Sequence, residues 1–175
     1  MRPRKNPASA PAASDPSPGS IDNSEAAGRV LRQFRLIFNA VKTHFQQVEK
    51  RTGLGGAQIW ALSIVEMRPG IGIKDLALAM DIHQSTTSNL VRALVERELM
   101  ATLREGTDRR TVQLKVLPAG RRLLKRAPGP FTGVLPQALI LLETRTLARL
   151  ERDLAQLLPH LKTDARAANI PLGQR

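Results

Sequence analysis

A chain of 175 residues with 27 Lys and Arg against 15 Asp and Glu, a net charge of +12, has room for one buried core plus an oligomerisation element, and its charge favours a polyanionic partner. The absence of cysteine excludes disulfides, thiolate metal sites and a cysteine-based oxidant switch, and three scattered histidines, His44, His83 and His160, offer no zinc spacing. No apolar run approaches the ~18 residues of a membrane span and no signal peptide is visible, so a cytoplasmic protein without membrane contact, metal or other cofactor is expected.

Residues 1–22 open the chain as a Pro-, Ala- and Ser-rich tail without apolar period, which cannot repay the entropy of ordering, and disorder is expected there. From Asn23 or Ser24 to about Lys50 the period becomes helical. Val30, Phe34, Ile37, Phe38, Val41, Phe45 and Val48 form a stripe broad enough to pack on two partners. Thr52-Gly53-Leu54-Gly55-Gly56 ends that helix. A second helix, about Ala57 to Met67, carries Ile59, Trp60, Leu62, Ile64 and Val65 and stops at Arg68-Pro69-Gly70.

Residues 71–117 change period twice. Leu76, Ala77 and Met80 recur at helical spacing until Asp81, a residue that tolerates a left-handed turn. A further helix then places Leu90, Val91, Leu94 and Val95 on one face. On the other lie Gln84, Ser85, Thr86, Ser88, Asn89 and Arg92, small and polar groups largely free of acid. The period next drops to two. Met100, Thr102 and Arg104 lead into Glu105-Gly106-Thr107-Asp108, and Val112, Leu114 and Val116 lead out. Helix, turn, helix, hairpin is the order of a winged helix-turn-helix. Its exposed face suits the DNA major groove, with Asn89 matched to an adenine edge and Arg92 to guanine or phosphate. The hairpin brings Arg104, Arg109 and Arg110 to the neighbouring backbone or minor groove. Charge agrees with this placement. From His83 to Arg126 there are ten basic residues against four acids, half of the chain's excess in a quarter of its length, which predicts steeply salt-dependent binding to double-stranded DNA.

A helix is expected from Pro118 to about Arg126, broken by Ala127-Pro128-Gly129-Pro130, and another from about Thr132 to Leu142 that holds Pro136 in its first turns. The break either shapes a ligand pocket or simply redirects the chain. The segment from Glu143 to about Leu161 repeats leucine at 147, 150, 154, 157 and 161, the spacing of a two-helix seam.

These residues resemble the MarR family of bacterial transcriptional regulators. Leu76-Ala77, the Ser85-Thr86 start, Leu90-Val91 with Leu94, and above all Asp108 to Gly120 (DRRTVQLKVLPAG) carry the resemblance, which covers about residues 25–160. It implies a homodimer that binds a pseudo-palindromic operator and is released by a small ligand or an oxidant, with Asp108 bracing Arg110 in the wing and the terminal helices of two subunits interlocking. The sequence departs from the family at Thr107, where an arginine is common, at Glu98, where a glycine commonly ends the recognition helix, at His83, where a serine usually caps it, and at Pro118, where a threonine is usual. The 127–130 run is a further departure.

The expected class is mainly α with a small β wing: a tail (1–22), an N-terminal dimerisation helix (23–54), a winged helix-turn-helix (55–117), C-terminal dimerisation helices (118–165) and a flexible end (166–175). Phe34, Ile37, Val41, Leu147, Leu150, Leu154 and Leu157 are the dimerisation candidates. His44, Trp60, Arg68, Arg121 and Arg126, aromatic and cationic together, are the candidates for holding a small aromatic or carboxylate-bearing effector. The leading reading is a ligand-responsive repressor acting as a homodimer in the bacterial cytoplasm, nucleoid-associated when bound to DNA. The alternative is a winged-helix module that binds protein without reading DNA sequence. No phosphate-cradling loop, carboxylate pair or nucleophile with its base supports an enzyme, since Asp81, His83 and Ser85 sit where a helix start explains them.

Overall fold

The structure, a computed structural model, describes residues 18–103, 112–162, 168 and 170–172. Among these described residues, seven helices and one hairpin follow in the order α1 (Pro18–Thr52), α2 (Gly56–Met67), α3 (Ile73–Met80), α4 (Gln84–Glu96), β1 (Met100–Leu103), β2 (Gln113–Val116), α5 (Pro118–Arg126), α6 (Val134–Ile140) and α7 (Thr144–Leu157), with a 3-10 turn at Leu158–His160. This is the mainly helical class with a two-stranded wing that the sequence predicts.

The chain divides into two units, residues 1–37 and residues 38–175. In the first unit α1 begins at Pro18, five residues ahead of the expected start, in keeping with the tolerance of a helix's first turn for proline. Val30, Leu31, Leu36 and Ile37 are exposed there.

The second unit is built around α2. Ala57, Ile59, Ala61, Leu62, Ile64 and Val65 are all buried, so this helix is apolar around most of its circumference and can be packed from several sides. It touches α3, α4, α5 and β2. Val48, Leu54, Leu76, Met80, Leu90, Val91, Leu94, Leu99, Met100, Leu114 and Val116 complete the core. Truncating a fully buried member such as Leu62 or Leu94 to alanine costs about 2–5 kcal/mol on general grounds.

Local chemistry sets the joints of this core. The α1 end is closed by the Thr52 hydroxyl, which donates to the Val48 carbonyl at 2.7 Å and accepts from the Leu54 amide at 3.1 Å, and the next residue, Gly53, has φ +68°. Gln58 Oε1 accepts the Gly55 amide at 3.1 Å and so satisfies a donor at the start of α2. Arg97 donates to the Gly53 carbonyl at 3.0 Å, tying the end of α4 to the end of α1. In the hairpin Met100 pairs with Val116 and Leu103 with Gln113, antiparallel. Leu114 exchanges hydrogen bonds with the other side too, accepting from Gly70 at 2.9 Å and donating to Ile71 at 3.0 Å, which locks the wing base to the α2–α3 connection. Gly120 lies so close to the Leu99 carbonyl and the Val116 side chain that a Cβ would overlap both. That contact lets α5 pack directly on the root of the wing.

Candidate nucleic-acid interface and adjoining cavity

The turn between α3 and α4 rests on Asp81, which sits in the left-handed region at φ 51°, ψ 45°. The amides of Asp81 and Ile82 bond back to the carbonyls of Leu78 and Ala77 at 3.2 and 3.1 Å, so the chain reverses within two residues and aims α4 across α3. The end of α4 uses the same device. Glu98 has φ 54°, and the amides of Glu98 and Leu99 return to Val95 and Leu94. A glycine position by backbone geometry is thus filled by glutamate.

Helix α4 buries Thr87, Leu90, Val91 and Leu94 and turns the opposite side outward. Gln84, Ser85, Asn89 and Arg92 are exposed, whereas Thr86 and Ser88 are half-buried. Two hydroxyls return to their own helix: Ser88 donates to the Gln84 carbonyl at 2.8 Å and Thr87 to the His83 carbonyl at 3.2 Å. Arg92 donates to Asn89 Oδ1 at 3.1 Å, joining guanidinium and carboxamide into one outward-facing unit. His83 precedes the helix in extended conformation without a side-chain cap bond, so the first-turn amides of α4 point outward uncapped by that residue. Cationic and amide donors beside such amides are suited to phosphates and base edges. Arg104, Asp108, Arg109 and Arg110, expected to form the wing tip, lie outside the described residues.

The residues expected to hold an effector do not converge. A cavity of about 220 Å³ is lined by Val41 and Phe45 of α1, Ala57 and Trp60 of α2, Met80, Asp81 and Ile82 of the helix-turn-helix corner, and the stretch from Phe131 to Pro136. Only Trp60 of the five candidates belongs to it. His44 is buried against Phe45, ring centroids 5.4 Å apart and edge-on, and its Nε2 has no hydrogen-bond partner. Arg121 turns to Glu66 instead, with its Nε 2.9 and 3.0 Å from the two carboxylate oxygens. Arg68 and Arg126 are exposed at the ends of their helices, away from the lining. The physical reason for Arg121 is partner choice: beside the half-buried Glu66 it meets an opposite charge at less desolvation cost than in the mainly apolar cavity.

Two further differences concern the chain after α5. The break at 127–130 delivers Phe131, Val134, Leu135 and Pro136 to the cavity wall, and α6 then starts with Pro136 in its first turn as expected. Residues 168 and 170–172, expected to be part of a flexible end, also line the cavity. Among the dimerisation candidates Val41 faces this cavity, which takes it out of a purely intermolecular seam. Leu147 and Leu157 are exposed, Leu150 and Leu154 are half-buried, and no residue of α7 is buried. Ile37 is exposed and Phe34 half-buried in the first unit. Neither the cavity residues nor Arg97 could be found from periodicity, because apolar positions at a helix edge look alike whether they meet a core or a void.

No curated protein matches the sequence. Among solved structures, the chain is similar to a MepR-like protein complexed with pseudoligands (20% identity, 74% of this chain and 92% of that one covered, TM-score 0.53) and to Staphylococcus aureus MepR in complex with DNA (21% identity, 74% and 94%, TM-score 0.51). It is also similar to YusO from Bacillus subtilis (14% identity, 79% and 98%, TM-score 0.50). These likenesses establish the fold, and the sequence match to the family model described as "MarR family" falls on residues 52–111, from the end of α1 to the wing. Over residues 52–111, the stretch that holds α2, α3, α4 and the start of the hairpin, the chain is thus similar to the MarR family.

Proposed function

We propose that this chain is a homodimeric, sequence-specific DNA-binding repressor that reads a pseudo-palindromic operator with α4 and is released from it by a small apolar effector. The observation that carries the reading is the outer face of α4, where Gln84, Ser85, Asn89 and Arg92 are exposed on a helix whose opposite side is locked into the core. No acid stands among them. The same fold in S. aureus MepR has been solved with DNA.

Dimerisation is supported by chemistry. Helix α7 presents Leu147, Leu150, Leu154 and Leu157 at three- and four-residue spacing and buries none of them, and Ile140, Leu141 and Leu142 just before it are exposed as well. An apolar seam of that length left to water is unfavourable by about 25 cal/mol per Å², and a second copy related by a twofold axis would cover it. Two copies would also set a pair of α4 helices about one turn of B-form DNA apart, as operator half-sites require.

For the effector, the cavity argues against the carboxylate that the sequence suggested. Its lining has no lysine or arginine among the described residues, and its volume of about 220 Å³ suits a neutral, single-ring or similarly small apolar molecule. Such a ligand would touch Asp81 and Ile82, the corner that aims α4, so its differential affinity for two orientations of that corner would shift DNA binding. Selection of duplexes from a random pool by the purified protein, repeated with small neutral aromatics, tests the whole reading. A recovered inverted repeat with half-sites about ten base pairs apart supports it; a pool that stays random removes sequence reading and leaves a protein-binding winged helix.

A further inference from the structure

Val41, Phe45, Gly56 and Ala57 border two hollows at once: the apolar cavity of about 220 Å³ beside Trp60, and a larger, open hollow of about 840 Å³ that is also bordered by Asn89, Leu90 and Ala93 of α4. Phe45 is the largest side chain common to both. Its ring lies over Gly56, where a Cβ would overlap it, and a Cβ on Gly133 would stand 3.3 Å from its Cζ. The ring is thus held between two glycines, one at the start of α2 and one just ahead of α6. A glycine has no side chain for a ring to interlock with, so fewer contacts oppose rotation here than in an interdigitated core. Phe45 is also only half-buried, with space on either side into which it can turn.

We infer that Phe45 is the partition between the two hollows and determines the size of ligand that the cavity takes. With its ring on Gly56 the cavity admits a single-ring molecule. With the ring turned aside the hollows join. The joined space admits an elongated molecule of two or more rings, its apolar end against Trp60 and its other end among Gln46, Gln58 and Asn89. Such a ligand reaches α4 itself and competes with a DNA base for Asn89. That consequence for DNA rests on the effector reading above, but the partition does not.

The experiment compares the full-length parent with Phe45→Ala, the milder Phe45→Leu, and Gly56→Ala, with far-UV circular dichroism as the folding control. Gly56→Ala is the decisive variant. It adds atoms and removes none, so a gain in binding a large molecule comes from displacing the ring and not from a new void. The probes are toluene, with one ring, measured by isothermal calorimetry, and N-phenyl-1-naphthylamine, neutral and elongated, measured by energy transfer from Trp60, the chain's single tryptophan. Removing or displacing the ring raises affinity for the larger probe about 10-fold or more and leaves that for toluene within about 3-fold, because apparent affinity scales with the fraction of molecules in which the joined space is open. A ratio of the two affinities that is unchanged or lower in folded Gly56→Ala overturns the partition, even where Phe45→Ala binds the larger probe more tightly. Absence of binding of both probes to the parent and to every folded variant overturns it as well. If Gly56→Ala fails to fold, Phe45→Leu decides by the same ratio. A parent whose duplex binding is indifferent to both probes defeats the effector reading alone and leaves the ratio intact.

Discussion

Arg92 and Asn89 are joined by a 3.1 Å hydrogen bond on the exposed side of α4, and their removal singly and together is the sharpest test of DNA reading. Neither side chain contributes to the core, so Arg92→Ala and Asn89→Ala should each leave stability within about 0.5 kcal/mol of the parent. Binding is another matter. A well-formed bidentate contact to a base edge discriminates by roughly 1–3 kcal/mol, or about 5- to 150-fold in affinity for the cognate duplex. Because Arg92 holds the Asn89 carbonyl oxygen, losing the guanidinium also frees the carboxamide to rotate, and the two losses should add to less than their sum, with a coupling of about 0.5 kcal/mol or more. Fluorescence anisotropy with a selected and a scrambled duplex, at several salt concentrations, separates the two roles open to Arg92. As a phosphate ligand it lowers the slope of log affinity against log salt by about 0.9 on both duplexes, whereas as a base reader it affects the selected one. If both single variants bind both duplexes as the parent does, α4 does not face DNA and the reasoning fails.

Glu98→Gly should stabilise the protein by about 0.5–1 kcal/mol, since glutamate at φ 54° bears a left-handed strain that glycine escapes, partly offset by glycine's freer unfolded chain; urea midpoints measure it, and destabilisation would contradict the backbone assignment. Gly120→Ala should cost about 1–3 kcal/mol, because its Cβ would meet the Leu99 carbonyl, which is backbone and cannot swing aside. Leu150→Asp with Leu154→Asp should turn a dimer into monomer in sedimentation velocity and weaken operator binding while α4 stays folded; a parent that sediments as a monomer would refute the dimer outright.

The local pattern of residues determined much of this protein by itself. The change from a 3.6-residue to a two-residue period between Val95 and Val116, the turn at Asp81 and the proline-opened α5 each follow from short-range sterics and hydrogen bonding, so each could be read without the fold. The same is true of the polar outer face of α4, because a helix with one apolar side must turn the other outward. Tertiary structure alone decided what met what. Arg121 went to Glu66 and left the cavity, Phe131 and Pro136 were carried into it by the 127–130 break, and Ile170 to Leu172 arrived from far along the chain. Those outcomes depend on contacts between residues distant in sequence, where partners compete for one charge or one void, and periodicity holds no record of who wins.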